Sequence, residues 1–340
     1  MTVALARSSL ARADAAPLVV SRLSGGLGNQ LFQYAAGRSL ARRSGARLIL
    51  DATAFKLPQE RRSFALDPYP IDAEVRLDGY AYEPVMPTVK FPRPADSRER
   101  PDSLLDAAMY RLARNGGAAD KIVKALWRLG ERASGAAGLA VFAERAFDYD
   151  AAFERLGSRT YLVGYWQSPR YFADTRDLIC RELALPYEPI GANAAWLARI
   201  AGKNSVCVHV RRGDYLRPEH FDQHGVCSEG YYARAMQAVG VRVDDPQFFV
   251  FSDDLAWCRA HIPGPNVAFV DANPVDAAHD ELRLMAACRH HVIANSSLSW
   301  WGAWLGAHAD QIVVAPDPWF SAGTKTPDLF PQTWIALPRD

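Results

Sequence analysis

The sequence predicts an α/β protein built as two Rossmann-like lobes whose parallel sheets face a cleft. Between Leu18 and Asp51 a strand, a glycine turn, a helix and a second strand follow one another. The second half repeats this β-α alternation, with apolar runs that end in polar or charged residues. The 340 residues are enough for two domains that each bury a core. Strands joined through helices imply parallel, doubly wound sheets, and such sheets bind ligands beyond the carboxyl ends of their strands.

In chain order, Met1 to Pro17 is Ala-rich but broken by Arg7, Arg12 and Asp14. It lacks the uninterrupted apolar segment of a secretory signal and is expected to be a disordered tail. Leu18 to Leu23 reads as the first strand, Ser24 to Asn29 as a glycine turn, and about Gln30 to Ala41 as a helix with Phe32, Ala36 and Leu40 on its buried stripe. Leu48 to Leu50, closed by Asp51, is the second strand. From about Val89 to Gly138 the chain turns Pro-, charge- and then Ala/Gly-rich, an expected helical insertion. Tyr161 to Gly164 resumes a strand, Asp174 to Leu183 a helix, and Pro186 to Pro189 a linker, which divides the lobes at 18–190 and 191–340. In the second lobe the expected strands are Ser205 to Val210, Gln247 to Phe251, His291 to Ala294 and Gln311 to Ala315. Helices are expected at about Glu229 to Val239, Asp280 to Cys288 and Leu298 to Gly306.

Composition narrows the function. Lys plus Arg (39) nearly balance Asp plus Glu (38), against a general nucleic-acid binder. The five cysteines are scattered, with no C-x-x-C pair, which fits a reducing compartment and no zinc site. No apolar run is long enough to cross a bilayer. The expectation is a cytoplasmic protein without a transmembrane segment, compatible with a peripheral seat at the inner membrane.

The most informative stretch is HVRRGDY, His209 to Tyr215, at the exit of an apolar strand. Alternate side chains share a strand face, so Val206, Val208 and Val210 point one way and Cys207, His209 and Arg211 the other. Arg212, Gly213 and Asp214 fall in the turn. Guanidinium forks match phosphate oxygens two at a time, which points to an anionic ligand. The structural alternative is an Arg–Asp ion pair closing a turn.

Each other motif also has a ligand reading beside a structural one. In Gly25-Gly26-Leu27-Gly28-Asn29, glycines at a helix entrance admit an anion; the alternative is a tight turn capped by Asn29. In Ser252-Asp253-Asp254, Asp253 accepts hydrogen bonds from a nucleotide or caps a helix, and Asp254 is read as the cap. Asn295, Ser296 and Ser297 cap a helix or donate to phosphate, and Trp300, Trp301 and Trp304 behind them read as core. Asp148-Tyr149-Asp150 is the lone D-x-D, and its approach, Glu144 to Phe147, is a poor strand; no metal site is assigned.

Taken together and in order, GGLGNQLFQYA (Gly25 to Ala35), GYWQSPRYF (Gly164 to Phe172), HVRRGDY and NSSLSWWGAWL (Asn295 to Leu305) resemble glycosyltransferase family 11, the bacterial α-1,2-fucosyltransferases. The resemblance implies a GT-B fold, GDP-β-L-fucose as donor, a galactose-terminated glycan or oligosaccharide as acceptor, inversion at the anomeric carbon, and no metal or other cofactor. It places Arg211 on the diphosphate with Arg212 beside it, Gly26, Gly28 and Asn29 near the phosphate and the breaking bond, Asp253 on guanine, and Asn295, Ser296 and Ser297 toward the phosphates. His209 completes the donor set, and Asp214 is one carboxylate that could activate the acceptor hydroxyl. Tyr165, Trp166 and Gln167 are the expected acceptor contacts. A nucleotide-sugar epimerase on the same fold is the alternative enzyme, and a non-catalytic glycan-binding module the alternative without chemistry.

Overall fold

A computed structural model describes residues 16–56, 60–77, 139–274, 277–321 and 323–340. The expected insertion at 89–138, and all but Ala16 and Pro17 of the expected tail, lie outside these residues. Strand β1 (Leu18–Arg22), helix α1 (Leu27–Ser44) and strand β2 (Arg47–Asp51) form the predicted β-α-β unit. The helix begins three residues earlier than the sequence suggested, so Asn29 lies inside its first turn and does not cap it. Three short strands complete this sheet: β3 (Glu74–Arg76), β4 (Ala140–Ala143) and β5 (Arg159–Val163). The order is β3-β2-β1-β5-β4, parallel throughout.

After a 3-10 stretch at Pro169–Thr175 come α2 (Arg176–Glu182) and α3 (Gly191–Ala201). The second sheet is then laid down by β6 (Asn204–Val210), α4 (Pro218–His224), α5 (Glu229–Gly240), β7 (Pro246–Ser252), α6 (Leu255–His261) and β8 (Val267–Phe269). It closes with α7 (Ala278–Ala286), β9 (His290–Val292), α8 (Ser297–Leu305), β10 (Val313–Asp317) and β11 (Ile335–Pro338). Its six strands run β11-β10-β9-β6-β7-β8, again all parallel. The fold is therefore α/β with two parallel sheets, a GT-B-like arrangement. The short β8 and β11 had no separate signal in the sequence.

The alternation read from β6 sets how the second sheet is covered. Val206, Val208 and Val210 pack with Tyr231, Tyr232 and Ala235 of α5. Cys207, on the opposite face, packs with Leu284, Met285 and Cys288 of the α7 region and with Phe249 and Phe251 of β7.

The two sheets share one aromatic core. Trp300, Trp301 and Trp304 of α8 are buried against Phe32 of α1 and Phe172, with ring centroids 4.5–6.4 Å apart. The Trp301 indole N–H donates to the Gly28 carbonyl (3.0 Å), and the Trp300 indole N–H to Leu329 O (2.8 Å). These tryptophans are core, as expected, and their packing explains why α1 is buried well beyond its Phe32/Ala36/Leu40 stripe.

Candidate active site

In each sheet the first strand sits centrally and later strands add on both sides. Strand β1 is flanked by β2 and β5, and β6 by β7 and β9. The order of strands reverses at these points, which opens a crevice at their carboxyl ends. The turns there are Gly25–Gly28 after β1, Gly164–Gln167 after β5, Arg211–Asp214 after β6 and Asn295–Ser297 after β9. All four motifs therefore flank a topological switch point, between β1 and β5 or between β6 and β9, for a reason rooted in chain path.

The glycine turn is shaped for close approach. Gly25 has φ of +76°, open to glycine without strain. Gly26 is the N-cap of α1 and has no side chain to cap it; a Cβ there would meet nothing within 4 Å. At Gly28 a Cβ would lie 2.5 Å from the Leu298 amide nitrogen and 2.6 Å from the Ser297 hydroxyl. The start of α1 thus abuts the start of α8. Ser296 is the N-cap of α8, yet its hydroxyl makes no capping hydrogen bond. Neither helix has an acidic residue in its first turn. Each N-terminus carries about half a positive charge, so two uncapped ends in contact form a ready anion site.

Asn29 lies in the first turn of α1, between Gly25 and Gln167. Its Oδ1 accepts from Gln167 Nε2 (2.9 Å), which leaves its NH2 group near Gly25 as a donor. Gln30, next in the chain, is structural: it donates to the carbonyls of Gly25 and Ser63 and accepts from Ala65 N.

Arg211 reaches the same opening from the second sheet. Its terminal nitrogens pair with Asp214 (2.5 Å) and Asp253 (3.0 Å), and its guanidinium lies 5.5 Å from the Tyr215 ring. The Tyr215 hydroxyl donates to the Asn295 carbonyl (3.3 Å), which links Arg211 to the entrance of α8. Asp214 also pairs with Arg62, which reaches over from the first sheet's loop. Burial alone would push the Asp214 carboxyl up, but Arg211 and Arg62 outweigh it and hold it below its usual range.

The chain matches Glycosyl transferase family 11 over residues 148–338. The protein belongs to that family. Alpha-1,2-colitosyltransferase of Escherichia coli is 29% identical over 335 residues, 95% of this chain and 99% of its own. Galactoside alpha-(1,2)-fucosyltransferase 2 of Mus musculus is 31% identical over 54% of this chain and 56% of its own. Among solved structures, fucosyltransferase NodZ from Bradyrhizobium aligns with a TM-score of 0.45 and 17% identity over 84% of this chain and 92% of its own.

Several expected roles change in this family 11 chain. Arg212 turns away from the opening: its guanidinium lies 4.1 Å from the Trp257 ring and its Nε pairs with Asp254 (3.1 Å). Asp254 also accepts from Trp257 N as the cap of α6 (3.1 Å), as expected. Asp253 accepts from Arg212 N (2.9 Å) and pairs with Arg211, which it helps to position. Asn295 is buried, and its NH2 group serves three carbonyls, those of His224, Gly225 and Trp319, so it fastens loops and does not face a phosphate. A carboxylate held ionised between two guanidinium groups is a poor proton acceptor, which removes Asp214 as the base and makes it a positioning residue.

On the acceptor side, Trp166 is fully buried among Phe142, Phe153 and Tyr171 and offers no face to a sugar. Gln167 is buried and orients Asn29, whereas Tyr165 is partly exposed and stacks on Phe147. His209 is 3% exposed, its Nδ1 is without a hydrogen-bond partner, and burial followed by Arg211 lowers its pKa to about 3. Asp150 accepts from Ala152 N as a cap. Among the described residues no three His, Cys, Asp or Glu side chains gather as a metal set, and no helix is long and apolar enough to cross a membrane.

Two side chains near these turns, Arg62 and Glu144, carried no sequence signal. Arg62 lies in an irregular loop. Glu144, just past β4, accepts from the backbone N–H of Tyr165 (2.7 Å) and Trp166 (3.1 Å). Burial raises its pKa to about 7 despite those hydrogen bonds. Glu281, on α7, is likewise raised to about 7, by burial and then by Asp253.

Proposed function

We propose that this glycosyltransferase moves L-fucose from GDP-β-L-fucose to the 2-hydroxyl of a terminal galactoside, with inversion and without a metal ion. The observation that carries the reading is the meeting of two uncapped helix N-termini, linked through Tyr215 and Asn295 to Arg211. Breaking a sugar–phosphate bond leaves negative charge on the diphosphate, and fixed donors aimed there lower the barrier. The α1 and α8 entrances, the Asn29 amide and the two arginines, Arg211 and Arg62, supply such donors. Asp214 and Asp253 hold Arg211 in place by charge-assisted bonds.

The sugar and acceptor side follows from the relatives. A full-length E. coli relative is an α-1,2-colitosyltransferase and mammalian ones are galactoside α-(1,2)-fucosyltransferases, so one linkage recurs with two sugars. As the donor bond breaks, the acceptor oxygen bonds to the anomeric carbon from the opposite face and gives up its proton. Glu144 is suited to accept that proton, because it lies at the carboxyl end of the first sheet beside Tyr165 and its pKa is close to neutral.

Incubation with GDP-fucose and lactose, with and without EDTA, tests this reading, with the product linkage read by NMR. An α-1,2-fucosylated product and free GDP, unchanged by EDTA, are expected. Transfer only from GDP-colitose would reassign the sugar, dependence on added Mn2+ would overturn the metal-free mechanism, and conversion of the donor with no acceptor would mark an epimerase.

A further inference from the structure

We propose that Arg339 is a positioning residue for Arg211: it fixes the end of α4 and, through the rings of His224 and Tyr215, the guanidinium that meets the diphosphate. This rests on the reading of Arg211 as a donor to the leaving group, and it names a residue that acts through Arg211 without touching the ligand.

Arg339 lies directly after β11 and is 6% exposed. Its backbone is anchored without the side chain: its N–H donates to Asp317 O (3.0 Å), and its carbonyl accepts from the N–H and the hydroxyl of Ser228 (both 3.1 Å). The guanidinium makes no ion pair with a described carboxylate. Burying a cation without an opposite charge is costly, so what it bonds instead is informative.

Nη1 donates to the carbonyls of His224 (2.6 Å) and Trp319 (3.4 Å), and Nη2 to the Ser321 hydroxyl (2.5 Å). Asn295, in the turn after β9, donates to the same two carbonyls (2.8 and 3.3 Å). Two side chains from separate elements thus converge on His224 O, at the end of α4. A terminal helix carbonyl has no partner within its helix and carries partial negative charge, and an arginine is favoured there. Gly225 follows with φ of +58°, and a Cβ on it would run into the Ser321 hydroxyl and the Arg339 guanidinium.

From His224 the path leads into the crevice. Its ring stacks on Tyr215, with centroids 4.5 Å apart and planes 11° apart. Tyr215 shares the 3-10 turn Gly213–Leu216 with Asp214, the ion-pair partner of Arg211. The Tyr215 ring lies 5.5 Å from the Arg211 guanidinium, and its hydroxyl donates to Asn295 O. The turn is therefore gripped at Tyr215 by His224 and by Asn295, and Arg339 ties both to one carbonyl. Groups that act on a reacting centre must be held within about 0.5 Å of their working position.

The experiment is steady-state kinetics of the full chain with GDP-fucose and lactose. It compares wild type, Arg339→Met, Arg339→Lys, Arg211→Ala and the Arg211→Ala/Arg339→Met double variant, with thermal unfolding to confirm that each is folded. Arg339→Met is expected to lower kcat by about tenfold with donor KM nearly unchanged, the pattern of an interaction made in the transition state. Arg339→Lys, which keeps the charge and loses the fork, is expected to recover part of that loss. In the Arg211→Ala background the Met substitution is expected to cost less than about twofold, because the group it positions is gone. An equal loss in both backgrounds marks a merely structural residue and overturns the proposal, as does undiminished kcat in Arg339→Met. Where Arg339→Met does not fold, Arg339→Lys takes its place in the cycle under the same criteria. Failure of both to fold overturns the proposal too, since the residue then serves folding and not positioning. Full turnover in Arg211→Ala ends the reading of Arg211 at the diphosphate, a result distinct from additivity between the two arginines.

Discussion

Gly28 of the first sheet's helix lies directly against Ser297 of the second sheet's helix: a Cβ on Gly28 would stand 2.5 Å from the Ser297 carbonyl carbon. The contact joins two helix N-termini that electrostatics alone would hold apart. Burial of the α8 tryptophans against Phe32 and Phe172, together with the Trp301–Gly28 hydrogen bond, holds them together. The opposed dipoles are thereby available to a negatively charged ligand.

Substitution at the two neighbouring glycines separates packing from ligand approach. Gly28→Ala is expected to force α1 and α8 apart, lowering stability by about 1–3 kcal/mol, as overpacking does, and lowering turnover with it. Gly26→Ala has open space for its methyl and is expected to leave the melting temperature unchanged while raising KM for the donor. Thermal unfolding and donor-saturation kinetics on both variants check this. Equal effects of the two would mean that Gly26 does not face the donor.

Arg211→Ala is expected to reduce turnover by about 10²–10³-fold, the usual scale for losing one donor to a developing anion. It also removes the ion-pair partner of Asp253, so some loss of stability accompanies it. Arg62→Ala removes a more exposed partner (41% against 18%) and is expected to keep the fold while lowering turnover and donor affinity. Steady-state kinetics beside circular dichroism make the comparison, and unimpaired turnover in Arg211→Ala takes that residue out of the site.

Glu144→Gln keeps an oxygen for the backbone N–H groups of Tyr165 and Trp166 but cannot accept a proton. Turnover is expected to fall by about 10²-fold or more, the lower end for general base catalysis. The acidic limb of the pH–rate profile, placed near pH 7 by the raised pKa of Glu144, is expected to disappear. Persistence of that limb in the variant assigns proton transfer elsewhere.

Stability should respond to pH through two opposed sets of buried groups. His209, His224 and His291 are held neutral chiefly by burial, with pKa values of about 3, 4 and 4. Between pH 6.5 and about 4 the unfolded chain therefore binds more protons at these sites, and stability falls as pH falls. Glu144 and Glu281, raised to about 7 chiefly by burial, do the reverse: their contribution is full below about pH 4.5 and is lost as pH rises toward 7. The expected curve from denaturant titrations is shallow from pH 5 to 7 and steep below 4.5, where only the histidines and the ion-paired Asp214 still change. A steep, unbroken rise from pH 4 to 7 would contradict the glutamate shifts.

The β-α alternation, the glycine turn before α1, the two-faced strand from Val206 to Arg211 and the arginine at its end were all legible in the chain. Strand period, turn chemistry and helix entry are properties of neighbouring residues. Adjacent residues with the same chemistry could not be told apart this way. Arg211 reaches the opening and Arg212 does not, because Asp254 and Trp257 of a different segment draw the second guanidinium aside. Asp253 carries Arg211 and the Arg212 amide on its oxygens, contacts made between two neighbouring strands. Arg62 and Glu144 lie in segments without a motif, and each gains its place from contacts made across strands or sheets. Local order follows from side-chain pattern along the backbone. The charge state and direction of a functional group depend on what folding brings beside it.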